Sequence, residues 1–341
     1  MNGRQDVIWL DWAKIIGMFL VIYGHLLQIT GTWPFEEIHD LWNIIYLFHM
    51  PLFFLLSGYV YRKGYSLKTV FWTLIVPYTI YQLFYLPIPL SVSIRDNGVC
   101  AKVFVKHLLG FILGDGYSTP IAWHSCPPCW FIVCIIQLRV LFKCIDITSA
   151  RILLLIFLCP IILSLLKVSN IDLYGCVDCT IMATPFFLIG FWMGKENAVN
   201  KIPIIWGGIL SVLSAIGLLF IYKINGPSQM NGPSYSNSIV LTYLAGYLGS
   251  YIVIYISILL EMKYKPNKIL ARNTLFLIFY HWIVLFILYR VGFFNLWMAI
   301  NSYYWYASIM VFYALLVLLS SIPLIKFLNE SYPLILGKIR K

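Results

Sequence analysis

Asp11 to His25 reads DWAKIIGMFLVIYGH, and this stretch decides the class of the molecule. It is apolar enough to be a membrane helix, yet it carries an acid, a lysine and a histidine. A charge near the centre of a bilayer costs roughly 2.5–3.5 kcal/mol on insertion scales, so charges kept there point to function. Their spacing strengthens the point. On a helix Lys14 and His25 lie about 20° apart around the axis and about 16 Å apart along it. Asp11 precedes Lys14 by one turn, within contact range. One stripe therefore runs acid, cation, imidazole.

The rest of the chain has the same character. Charged residues are 11 % of the 341 residues and apolar ones 61 %, against about 25 % and 45–50 % in soluble domains. This composition specifies an all-α, polytopic transmembrane helical bundle, with one integral membrane domain over residues 1–341. The first apolar run is long and has no small-residue cleavage site, so it is expected to remain as a helix. The net charge of +11 fits positive loops on one side of a membrane; no nucleic-acid partner is implied.

Span length predicts ten crossings, at about 8–29, 41–61, 68–88, 129–146, 150–168, 180–195, 203–223, 238–260, 273–291 and 303–327. The sixth is short enough to be tilted or partly re-entrant. Val103–Leu113 is too short to cross and suits a helix lying in the interface. With the N-terminus inside, the inner loops collect Arg62, Lys63 and Lys68, then Arg139, Lys143 and Arg151, then Lys263, Lys265, Lys268 and Arg272. The outer ones hold only scattered cations. That bias puts both termini in the cytoplasm of a multi-pass cell-membrane protein.

Three outer segments stand out. The first, with Glu36, Glu37, His39 and Asp40, is acidic. Pro89–Pro128 is the longest polar stretch, and Asn225–Asn237 is rich in Gly, Pro, Ser and Asn. The last two are placed to cover or shape an acceptor site, or they merely connect helices. His124 is placed outside, where it could touch an acceptor. Cys126, Cys129, Cys176 and Cys179 also fall outside. Their spacing is not that of a zinc ribbon, no metal site is expected, and a disulfide between the two loops is compatible with an oxidising compartment.

Phe48 to Tyr61 reads FHMPLFFLLSGYVY. Span one runs outward and span two inward, so His25 and His49 reach a similar depth. Two imidazoles at one cavity suit acid–base chemistry near neutral pH; a lone membrane histidine also serves as a bonded core group. His281 sits about mid-membrane on span nine, with the same two readings. Trp130 is expected to pack or to sit at the outer interface, and Arg139 to snorkel to the inner one.

These motifs resemble the acyltransferase-3 family of integral membrane acyltransferases. Lys14 to His25 matches its Arg/Lys-x10-His signature, and LDWAKIIGMFLVIYGH with FHMPLFFLLSGY is most similar to the fucose 4-O-acetylase-like branch. Pro77–Tyr78, Trp130–Phe131, Pro185–Phe187 with Gly190, Asn273–Thr274 and Tyr280–His281 agree in order along the chain. The resemblance implies acetyl transfer from acetyl-CoA, with no tightly bound cofactor. The implied acceptor is a glycan or lipid-linked sugar of a capsule, exopolysaccharide or lipopolysaccharide, with the lipid bilayer as surroundings. Lys14 stands where Arg is common and lacks its bidentate fork. No hydrolase-like domain is expected after the last span.

The chemistry assigns roles. His25 is the base for the sugar hydroxyl, with His49 as its companion. Lys14 is placed to bind a donor phosphate or pantetheine carbonyl, and Asp11 to keep Lys14 protonated, unless that pair only anchors the helix end. His281 either orients the donor or completes the core. A direct transfer and an acetyl-histidine intermediate both remain open. If the donor enters from the cytoplasm, acetyl crosses the bilayer through the protein. The rival reading is a transporter or flippase of a lipid-linked sugar, with the same charges as relay groups; a third is a silent partner in polysaccharide assembly.

Overall fold

In this computed structural model the chain is described over residues 7–29, 35–123, 126–168, 173–232, 234–294, 300 and 302–339. His124 lies outside the described residues, as do both termini. Every described element is helical, with one isolated β-bridge between Gln229 and Ser234.

The first helix is α1 (Ile8–Gln28), which packs against five of the helices that follow it. It continues through the Asp11–His25 stretch without a break. Then come α2 (Glu36–Tyr59), α3 (Leu67–Val70), α4 (Val76–Tyr85), α5 (Pro87–Asn97), α6 (Ala101–Leu113) and α7 (Trp130–Cys144). The second half holds α8 (Ala150–Val168), α9 (Val177–Glu196), α10 (Ile204–Asn225), α11 (Ile239–Glu261), α12 (Lys268–Ala271), α13 (Thr274–Arg290) and α14 (Tyr303–Ser331).

Seven described helical segments are long and apolar enough to cross a bilayer, which makes this a multi-pass membrane protein. An eighth follows if Leu67–Tyr85 and Pro87–Asn97, bent by 41°, form one span. The segments expected at 150–168 and 273–291 are apolar helices of shorter length.

Several expectations need correction. The second span starts at Glu36, not at 41: Glu36 and Glu37 fill the first helical turn, where carboxylates offset the positive end of the helix dipole. The sixth is not short, because α9 begins at Val177 and runs for 20 residues. The third is irregular. A π-helical turn, Phe71–Ile75, joins α3 to α4 just before Pro77, whose missing N–H disturbs the regular ladder. The disulfide between the two loops that the sequence left open is not formed here, and every cysteine is a free thiol. Cys176 Sγ instead donates to the carbonyls of Leu113 and Gly114.

The closest helix contact joins α2 and α9. A Cβ at Gly58 would collide with the Phe187 carbonyl, and one at Gly190 with that of Leu55. Small residues let two membrane helices approach at the backbone, where van der Waals contact replaces the hydrophobic drive that lipid removes. This contact sets the position of α2, and with it that of His49.

Candidate active site

His25 sits one residue after Gly24 on α1. A Cβ at Gly24 would lie 3.0 Å from the Tyr46 ring, so glycine there admits Tyr46 of α2 against the helix. Tyr46 Oη then lies 3.3 Å from His25 Nδ1. The Tyr46 ring is 4.5 Å from the His49 ring, centroid to centroid, and 4.1 Å from that of Trp42. His49 Nδ1 donates to the Ile45 carbonyl at 2.9 Å. A carbonyl can only accept, so Nδ1 holds a proton and a neutral His49 keeps its lone pair on Nε2.

His281 of α13 is fully buried and stacks on His25 with centroids 5.3 Å apart. Its Nδ1 donates to the Leu277 carbonyl at 2.8 Å, while Nε2 is buried without a hydrogen bond. The Trp282 ring meets His25 edge-on at 5.2 Å. Three helices thus bring three imidazoles to one place.

His25, Tyr46 and His49 open onto a cavity of about 360 Å³. Its walls include Trp42, Trp130 and Trp282, with Gln28 one turn beyond His25. Gly116 and Pro127–Pro128 come from the polar stretch before α7, and Gln229, Met230 and Asn231 from the loop between α10 and α11. Both loops singled out in the sequence therefore reach the cavity. Trp130 is buried in its wall rather than at an interface.

Fixed contacts hold these loops. Asn225 Oδ1 accepts from the Ser238 N–H at 2.6 Å, and its Nδ2 donates to Thr242 Oγ1 at 3.1 Å, closing the base of the loop. Within the loop, Ser234 N–H donates to the Gln229 carbonyl at 3.0 Å. On the other side Asp115 accepts from the Gly175 and Cys176 N–H groups at 3.0 and 2.7 Å. Burial pushes the Asp115 carboxyl above its usual range, against the pull of those two donors.

The remaining predicted residues lie elsewhere. Asp11 and Lys14 form an ion pair at 3.9 Å near the start of α1, apart from the cavity walls. His281 touches His25 and not this pair, so it supports the imidazole cluster more directly than any group held at Lys14. Arg139 is half-buried, with its guanidinium 5.1 Å from the Tyr65 ring.

Sequence reasoning missed Tyr46, Trp42, Gln28, Trp282, Gln229 and Asn231. Tyr46 was within reach, because it precedes His49 by three residues and shares its helix face. Gln28 stands in the same relation to His25. Nothing local marks Gln229 or Asn231.

The comparisons with known proteins agree with this architecture. A family model described as an acyltransferase domain matches residues 7–326. The nodulation protein NolL of Sinorhizobium fredii (strain NBRC 101917 / NGR234) is 39 % identical over 75 residues, which cover 20 % of this chain and 19 % of NolL. No solved structure matches. The family match takes in nearly every described helix and the whole imidazole cluster, and the chain belongs to the acyltransferase-3 family of integral membrane acyltransferases.

Proposed function

We propose that the protein is a membrane O-acetyltransferase. It moves an acetyl group from acetyl-CoA to a hydroxyl of a sugar in a cell-surface polysaccharide or its lipid-linked precursor. The observation that carries this reading is the meeting of His25, Tyr46 and His49 at one cavity lined with aromatic rings and amides.

A sugar hydroxyl is a poor nucleophile until a base takes its proton. In the tautomer whose Nδ1–H donates to Tyr46 Oη, the lone pair of His25 sits on Nε2 and receives that proton. The hydroxyl oxygen attacks the thioester carbonyl and a C–O bond forms. The tetrahedral oxyanion collapses, the C–S bond breaks, and the departing CoA thiolate recovers the proton from the imidazolium. His49, with Nδ1 committed to Ile45, offers the lone pair on Nε2 to a second hydroxyl of the sugar. His281 backs the His25 ring and holds its plane.

Lys14 is the donor hold in this scheme. It stands about 16 Å from His25 along α1, a span comparable to a pantetheine arm, and Asp11 keeps it charged. The distribution of Lys and Arg supports a cytoplasmic Asp11 end, and in this reading acetyl passes along α1 toward the outer face.

The test uses purified protein in lipid, labelled acetyl-CoA, and oligosaccharide or lipid-linked acceptors. His25→Ala is expected to lower transfer by about 10²–10⁴-fold while the fold persists. Robust transfer by that variant would remove His25 as the base, and movement of a lipid-linked sugar without acetylation would favour a carrier instead.

A further inference from the structure

The cavity at His25 has an electrostatic property that bears on what it accepts. Apart from its two histidines, none of its described lining residues can ionise near neutral pH: there is no Asp, Glu, Lys or Arg. Its polar groups away from the imidazoles are the phenol of Tyr46, the indoles and the amides of Gln28, Gln229 and Asn231. An anion brought into such a space loses its hydration and meets no fixed cation in return. A neutral sugar ring loses less, because amides satisfy its hydroxyls and aromatic faces cover its C–H surface.

One amide is placed with particular care. Asn231 Oδ1 is buried and has no hydrogen-bond partner, although its residue lines the cavity. A buried carbonyl oxygen left bare is costly, and a ligand hydroxyl is the natural group to satisfy it. Gly116 leaves room for this side chain. A Cβ on Gly116 would stand 2.8 Å from both Oδ1 and Nδ2 of Asn231, and 2.8 Å from the Pro127 carbonyl. The clamp at Asn225 fixes the loop that presents it.

We infer that Asn231 is an acceptor-binding residue, and that with the uncharged walls it selects a neutral glycosyl unit over uronic and other acidic sugars. On turning from Gly116 toward the cavity, Asn231 Oδ1 accepts a hydrogen bond from a ring hydroxyl beside the one that reacts, which turns the reacting oxygen toward His25. The inference rests on the acetyl-acceptor reading of this cavity and names the class of sugar that it takes.

The experiment combines binding with turnover. Saturation-transfer NMR on the full chain in nanodiscs reports binding of methyl hexosides, 6-deoxyhexosides and N-acetylhexosaminides against methyl uronosides. Labelled acetyl-CoA reports transfer to the same panel. Neutral glycosides are expected to bind and uronosides not. Asn231→Ala and Asn231→Leu are expected to raise the acceptor KM about tenfold, the worth of one hydrogen bond, with the acetyl-CoA KM unchanged. Two variants are used because Leu keeps the bulk that Ala removes. Uronosides binding as well as neutral glycosides, no neutral glycoside binding, or both variants retaining wild-type acceptor binding would each overturn the inference. Neutral glycosides that bind and depend on Asn231, but receive no acetyl, would overturn the proposed reaction while leaving the binding assignment in place.

Discussion

Tyr46 Oη lies 3.3 Å from His25 Nδ1. This contact joins α1 to α2 where Gly24 leaves room for a ring, and it holds the imidazole from the side away from Nε2. Tyr46→Phe keeps the ring and deletes the hydroxyl. Its kcat should fall about tenfold, near 1.4 kcal/mol, with both KM values close to wild type. A steady-state comparison reads the split, and an unchanged kcat would show that Tyr46 does not set the ring.

At the other end of α1, Lys14 and Asp11 form the ion pair proposed above to hold the donor. Lys14→Met keeps the length and removes the charge. The KM for acetyl-CoA should rise about tenfold or more, as for a lost charged hydrogen bond, while the acceptor KM stays constant. Lys14→Arg should restore most of the affinity. Equal loss for donor and acceptor would point to a structural role.

The α2–α9 contact depends on the missing side chain at Gly190. Gly190→Leu should lower stability by about 1–3 kcal/mol or more, because overpacking forces two backbones apart. Gly64 has nothing within 4 Å of a built Cβ, so Gly64→Leu is the matched control. Thermal unfolding of both variants in detergent gives the comparison. Similar midpoints would mean that the helices do not rely on this approach.

Asp115 ties the stretch before α7 to Gly175 and Cys176, and burial raises its carboxyl above the usual 3.8. The folded state therefore holds its proton more tightly than the unfolded chain does. The stability gained from that proton is full below the unfolded value and is lost as pH rises through the folded one. A carboxyl-carbon NMR titration should place the Asp115 midpoint above 3.8, and Asp115→Asn should remove this part of the pH dependence. A midpoint at or below 3.8 would contradict the burial argument.

Some of this is legible in the sequence. His25 and His49 were placed at one depth by counting along two apolar runs, and they do line one cavity. The polar stretch before α7 and the Asn225–Asn237 loop stood out by composition, and both reach that cavity. Helix ends read less well. Glu36 and Glu37 look like loop residues by hydropathy, yet carboxylates are welcome in a first helical turn. His281 was visible as a buried polar group, but its neighbour was not. Helix periodicity says which side chains share a face and nothing about which helix that face meets.

By itself the sequence determined that this chain is a bundle of membrane helices, with an acid, a cation and an imidazole on one face of the first. Hydropathy and the 3.6-residue turn are local properties, and span length follows from the bilayer. Only the tertiary structure decided that Tyr46 would touch His25, that His281 would stack behind it, and that Asn231 would pack against Gly116 in the cavity wall. The physical reason is that lipid and neighbouring helix are equally apolar. Hydropathy therefore cannot choose between them, and small residues such as Gly24, Gly58 and Gly190 decide which surfaces close on each other.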